Sequence, residues 1–158
     1  MIDKTCSFTG HRQIFHIHAE SLPSILEQII LKVFNSGYIW FQSGGALGFD
    51  LLAADTVISL RRSIPDIKLR MILPCRNQAE RWRASDRAHY NNVISLADDV
   101  IFMQESYTPY CMHERNRALA DTSSLLISYL TNNHGGTAYT VRYAESKSKK
   151  IINIADLL

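Results

Sequence analysis

The sequence predicts an α/β protein, a Rossmann-like three-layer αβα fold on a mostly parallel sheet. Two observations predict it. Short apolar runs rich in β-formers alternate with segments of helical periodicity along the whole chain, and glycine clusters stand where strand gives way to helix. Strict alternation implies βαβ crossovers, hence parallel strands covered by helices on both faces. In such sheets ligands bind beyond the carboxyl ends of the strands.

Each element has its own warrant. Thr5–Thr9 is a short strand broken by Gly10. Leu22, Ile25, Leu26, Ile29, Ile30, Val33 and Phe34 follow one helical face, and Gly37 supplies a stop. Ile39–Gln42 reads as the second strand, and Leu47 to Leu60 as the second helix. Ile67–Leu73 is a third strand, terminated by Pro74. Asn77–Trp82 holds a short helical turn and Ser85–Leu96 a fuller helix. Val100–Met103, helix Met112–Ala120, strand Ser124–Leu130, helix Thr137–Ser146 and strand Lys150–Ile154 complete the series.

At 158 residues the chain fits one domain, 1–158. Cys6, Cys75 and Cys111 are odd in number and form no CxxC pair, so they read as free thiols in a reducing cytoplasm. The amino terminus lacks the apolar stretch of a signal peptide, and no segment approaches the ~20 apolar residues of a membrane span. A soluble cytoplasmic protein without a membrane partner is expected. The formal charge of +2 argues neither for nor against nucleic acid. His16 and His18 lack a third ligand, so neither a metal nor another cofactor is expected.

Three strand ends carry candidate ligand residues. Thr9-Gly10-His11-Arg12 offers close backbone approach at Gly10 and a bidentate grip at Arg12. Ser43-Gly44-Gly45-Ala46-Leu47-Gly48-Phe49-Asp50 joins strand to helix, so amide donors and the helix dipole converge on one spot. It is neither GxGxxG nor a Walker A loop, for the Lys-Ser/Thr pair is absent. Asp50 either caps that helix or accepts from a ligand hydroxyl or base. His134-Gly135-Gly136-Thr137 repeats the strand-to-helix arrangement. Arg115 and Asn116 could hold a phosphate and a base edge, but composition favours an exposed helix face shared with His113, Glu114 and Arg117. Arg76–Tyr90 interleaves Arg76, Arg81, Arg83 and Arg87 with Trp82, His89 and Tyr90. Glu80 and Asp86 dilute its charge, and a solvated segment over a packed Trp82 is favoured over a single-strand DNA surface.

In this order, TGHR, SGGALGFDLLAAD, Pro74…Trp82…Tyr90, Arg115-Asn116, and GGT followed by Val141-Arg142-Tyr143-Ala144, the chain resembles the YpsA family of the SLOG superfamily. That superfamily also takes in the LOG phosphoribohydrolases and DprA. The resemblance implies a Rossmann-like fold that senses or processes nucleotide-derived ligands. It places ligand contacts at Gly10, Arg12, Ser43, Gly44, Gly45, Ala46, Gly48, Arg115, Asn116, Gly135, Gly136 and Thr137, and an acidic functional group at Asp50. It further implies a homodimer, since related folds often dimerise. The chain departs from the LOG loop PGGxGTxxE: NHGGTAYT puts His134 at the proline and Thr140 where the catalytic glutamate would stand, leaving Asp50 or Glu145 as substitutes. The expected function is binding of a phosphate-bearing nucleotide-like small molecule. LOG-like N-glycosidic hydrolysis ranks second and DprA-like single-stranded DNA binding third.

Overall fold

The computed structural model describes residues 1–158. Six strands form one sheet in the order β4-β3-β2-β1-β5-β6, and every pairing is parallel. The strands are β1 (Thr5–Gly10), β2 (Trp40–Ser43), β3 (Lys68–Cys75), β4 (Asp99–Gln104), β5 (Leu125–Tyr129) and β6 (Lys150–Asn153). The helices are α1 (His16–Ala19), α2 (Leu22–Asn35), α3 (Phe49–Arg61), α4 (Ala84–Leu96), α5 (Cys111–Asp121) and α6 (Gly135–Ser146). Short 3₁₀ turns at Ile2–Lys4 and Ile154–Leu157 flank the series. The alternating elements are thus those the sequence predicts. The sheet is wholly parallel, because every connection carries a helix or a long crossover rather than a hairpin.

Two local expectations are corrected and one element is added. Pro74 does not end β3. The β2 pairing stops at Ser43 opposite Met71, so Pro74 lies beyond it, where a missing N–H breaks no bond to that neighbour. The segment before α2, to which the sequence reading assigns no element, holds the single turn α1, and His18 there turns inward to Tyr129. Gly48, expected in the first turn of the second helix, instead precedes α3, whose first residue is Phe49.

Strand alternation divides the interior. In β1, Cys6 and Phe8 belong to a cluster of 25 buried apolar residues filled by Phe41, Phe49, Leu26 and Ile30 under α2, α3 and α4. The other face carries Ser7, Gln42 and Ser128, all fully buried, against α5 and α6, and its apolar cluster is only Ala120, Leu126 and Ala144. Small residues let these two helices sit close to the sheet. Ser7 Oγ donates to the Leu119 carbonyl at 2.8 Å, and Gln42 Nε2 donates to Ser7 Oγ and Thr122 Oγ1, both at 2.9 Å. Strand order reverses beside β1: β2, β3 and β4 extend to one side, then the chain crosses back to lay β5 on the other. This switch point places a crevice at the carboxyl ends of β1 and β5. No helix is long and apolar enough to cross a membrane.

Candidate functional site

A cavity of about 320 Å³ opens at that switch point. The end of β1 contributes Thr9, Gly10, His11 and Arg12; the β2–α3 turn contributes Ala46 and the first turn of α3 contributes Asp50. Met112, Arg115 and Asn116 come from α5, and Gly136 and Thr137 from the start of α6. The two glycine-bearing turns therefore meet over one cleft.

Arg115 is the cation at its base. It is 6% exposed, contrary to the exposed face that composition favours, because α5 docks against β1, β3 and α6 and turns Arg115 and Asn116 inward. His113 and Arg117 stay exposed. Arg115 Nη1 donates to the Gly44 carbonyl, Nε donates to Asn116 Oδ1 at 2.8 Å, and Nη2 lies 3.6 Å from Met112 Sδ. Arg12, exposed and without an ion-pair partner, stands at the mouth.

Asp50 faces these cations from the first turn of α3. It is 5% exposed; Oδ2 accepts from the Ala46 amide at 3.4 Å, while Oδ1 is buried without a hydrogen-bond partner. Burial pushes its carboxyl up to about 6, although the Arg115 charge and, less strongly, the nearby Ala46 and Gly10 amides and Arg12 pull it back. Burial also lowers Arg115, opposed chiefly by Asp50. Deep in a polar cleft, a carboxyl that titrates near neutrality can hold or give a proton.

The remaining expected residues shape the walls. The Gly45 amide donates to Ser43 Oγ at 3.2 Å, and Ser43 Oγ donates to the Asp50 carbonyl at 2.8 Å. The β2–α3 turn thus spends two amides, those of Gly45 and Ala46, on its own side chains, leaving positive charge to the arginines. A Cβ on Gly44 would lie 2.7 Å from Arg115 Nη1. Gly48 has φ +84° and a Cβ there would come within 2.0 Å of the Arg12 carbonyl oxygen, so the β1 end and α3 touch through backbone. Ser43, Gly44, Gly45, Gly48 and Gly135 lie outside the cavity lining, whereas Gly136 and Thr137 present the amino terminus of α6 to it. Thr140 is fully buried and donates to the Gly136 carbonyl at 2.8 Å; Glu145 is exposed near the far end of α6.

Thr9, His11 and Met112 line the cavity without having been singled out as ligand residues. His11 and Thr9 were visible in the TGHR signature, and Met112 stands three residues before Arg115, one helical turn away. His11 Nε2 accepts from the Thr131 amide at 3.1 Å and burial lowers its pKa, so the neutral ring carries its proton on Nδ1. Below it, buried Tyr129 bonds through its hydroxyl to the Phe15 amide at 3.1 Å and His18 Nδ1 at 2.7 Å, fastening the segment that carries Arg12. No group of three or more His, Cys, Asp or Glu side chains is placed to hold a metal ion.

The family model described as the YspA SLOG family matches residues 8–157. The UPF0398 protein BH1768 of Halalkalibacterium halodurans is 29% identical over 144 residues, covering 89% of this chain and 74% of that protein. A UPF0398 protein of Staphylococcus epidermidis is 34% identical over 102 residues, covering 60% of this chain and 54% of the other. Among solved structures, DNA processing protein A of Streptococcus pneumoniae superposes with a TM-score of 0.66 at 15% identity over 94% of this chain. DNA processing protein A of Helicobacter pylori does so with a TM-score of 0.65 at 17% identity over 93%. The chain spans 49% and 63% of those two structures' lengths. At such identity the likeness shows a shared fold.

Proposed function

This chain belongs to the YpsA family of the SLOG superfamily, and we propose that it binds a phosphate-bearing nucleotide or nucleotide-derived small molecule in the switch-point cavity. The observation that carries the reading is Arg115. A cation sunk in a polar cleft, steered by Asn116 and the Gly44 carbonyl and facing the first turn of α6, suits a dianionic phosphate. Arg12 adds a second charge at the mouth, and the Asp50 carboxylate in the cavity wall is an acceptor for a sugar hydroxyl. Calorimetric titration with nucleoside mono- and diphosphates, ADP-ribose and NAD tests it. At least one should bind, and Arg115→Met should weaken that binding by tenfold or more; silence across the panel overturns the reading.

A second reading is favoured by Asp50 alone: a carboxyl titrating near 6 inside the cleft is suited to proton transfer during N-glycosidic cleavage. Thr140 supplies no carboxylate, and Glu145 is remote from the cavity, so Asp50 would carry the acidic role. Release of adenine from AMP, abolished by Asp50→Asn, would establish turnover. The Helicobacter pylori relative is described as binding single-stranded DNA, and a short oligonucleotide belongs in the same titrations. Against that partner here, Arg76, Arg83 and Arg87 are already bonded to Glu105, Asp86 and the Glu80 and Trp82 carbonyls. A homodimer and a cytoplasmic setting accompany this proposal as expectations, the first checked by the mass in solution.

A further inference from the structure

Met112 lines two cavities. On one side lies the cleft of Arg115; on the other is a cavity of about 460 Å³ between the β3–α4 and β4–α5 loops. Its walls are Asn77, Gln78, Glu80, Arg81, Trp82 and Tyr107. The two loops are tied, since Asn77 Oδ1 accepts from the Tyr107 amide at 3.1 Å. The Trp82 ring stands edge-on to Tyr90 with centroids 5.1 Å apart, and Gln78 Nε2 donates to the Tyr90 hydroxyl at 3.1 Å. Tyr107 remains 61% exposed.

Three buried side-chain atoms in the protein have no hydrogen-bond partner: Asp50 Oδ1, Gln78 Oε1 and Ser128 Oγ. Asp50 lines the first of these adjoining cavities and Gln78 the second. A polar atom that the protein itself leaves unpaired is costly, and a bound group can pair with it after a small side-chain shift. Charge differs between the chambers: Arg115 and Arg12 serve the first, whereas Arg81 is offset by Glu80 in the second. The second therefore suits a neutral group with an aromatic face and a polar edge rather than another phosphate.

We infer that the two cavities form one bipartite site, and that the second receives the base of a nucleotide whose sugar phosphate occupies the first. Trp82 and Tyr107 supply aromatic surface for the base, and Gln78 puts an amide in the same wall for its edge. The ligand class is a base-bearing nucleotide long enough to pass Met112. This rests on the nucleotide reading of the first cavity.

Calorimetry with two probes tests it: ribose 5-phosphate, which can fill only the first cavity, and ADP-ribose, which carries the same terminal group joined to an adenosine 5′-phosphate. Wild type should bind ADP-ribose at least tenfold more tightly, and Tyr107→Ala should erase that advantage while leaving ribose 5-phosphate affinity unchanged. ADP-ribose, and not ribose 5-phosphate, should change tryptophan fluorescence, a response lost in Trp82→Phe. Equal affinity for the two probes, with ribose 5-phosphate binding still dependent on Arg115, overturns the second chamber alone. An advantage that survives Tyr107→Ala and Gln78→Leu does the same. Failure of both probes to bind overturns the nucleotide reading along with it.

Discussion

The two faces of the sheet are built on opposite principles. Under α2, α3 and α4 the strands present Phe8, Phe41, Leu69, Ile127 and Tyr129 to a continuous apolar core. Under α5 and α6 the same strands present Ser7, Gln42 and Ser128, and the helices answer with alanines and with Arg115, Asn116, Thr137 and Thr140. One face supplies the stability. The other gives up apolar burial to hold polar groups at fixed positions, and the cavity opens where the polar face reaches the carboxyl ends of the strands. Burial of apolar area stabilises by roughly 25 cal/mol per Å², whereas a buried hydrogen bond contributes about 1 kcal/mol net. Loss of the first face should therefore unfold the protein, and changes on the second should mainly alter its site.

The largest expected effect is on the apolar face. Phe8 is fully buried between the rings of Phe41 and Phe49, at centroid distances of 6.1 and 6.3 Å. Phe8→Ala should cost about 3–5 kcal/mol, read as a lowered urea midpoint; a loss below about 1 kcal/mol would undo the division of labour.

Next comes Asp50, at the amino end of α3, where burying a carboxyl carries a cost. Its folded pKa of about 6 lies above the ordinary 3.8, so between those values the folded state holds a proton that the unfolded state has lost. The stability this confers is complete below pH 3.8 and disappears as pH rises through about 6. Relative to Asp50→Asn, wild type should thus weaken from pH 4 to pH 7, by something on the order of 3 kcal/mol at most. Parallel pH profiles for the two proteins would contradict that burial.

The smallest effect belongs to Ser128, fully buried on the polar face with its hydroxyl unpartnered. Ser128→Ala should leave stability unchanged or raise it by about 1 kcal/mol. A clear loss of thermal stability would mean that the hydroxyl has a partner in solution.

The difference between faces also explains what could be read in advance. Alternation of apolar runs and helical periods is a local signal, and it is strong for Leu22–Phe34 and for Leu125–Tyr129, which serve the apolar core. Gly10 and Asp50 were legible because strand-to-helix turns announce themselves in glycine. Arg115 and Asn116 were not legible from composition, for their neighbours His113, Glu114 and Arg117 are all polar, and only the docking of α5 selects which positions turn inward. Nor could a glycine needed as an anion cradle be told from one needed for close packing: Gly44 and Gly48 leave room for Arg115 and the Arg12 backbone. Pro74 misled because its cost depends on where the neighbouring strand stops.

The central claim is that a phosphate-bearing nucleotide settles among Gly10, Arg115 and Thr137. Amide chemical-shift mapping during titration with AMP tests it most directly. Saturable shifts should concentrate at Gly10–Arg12, Ala46, Arg115-Asn116 and Gly136–Thr137, and vanish in Arg115→Met; saturable shifts confined to other surfaces would contradict it.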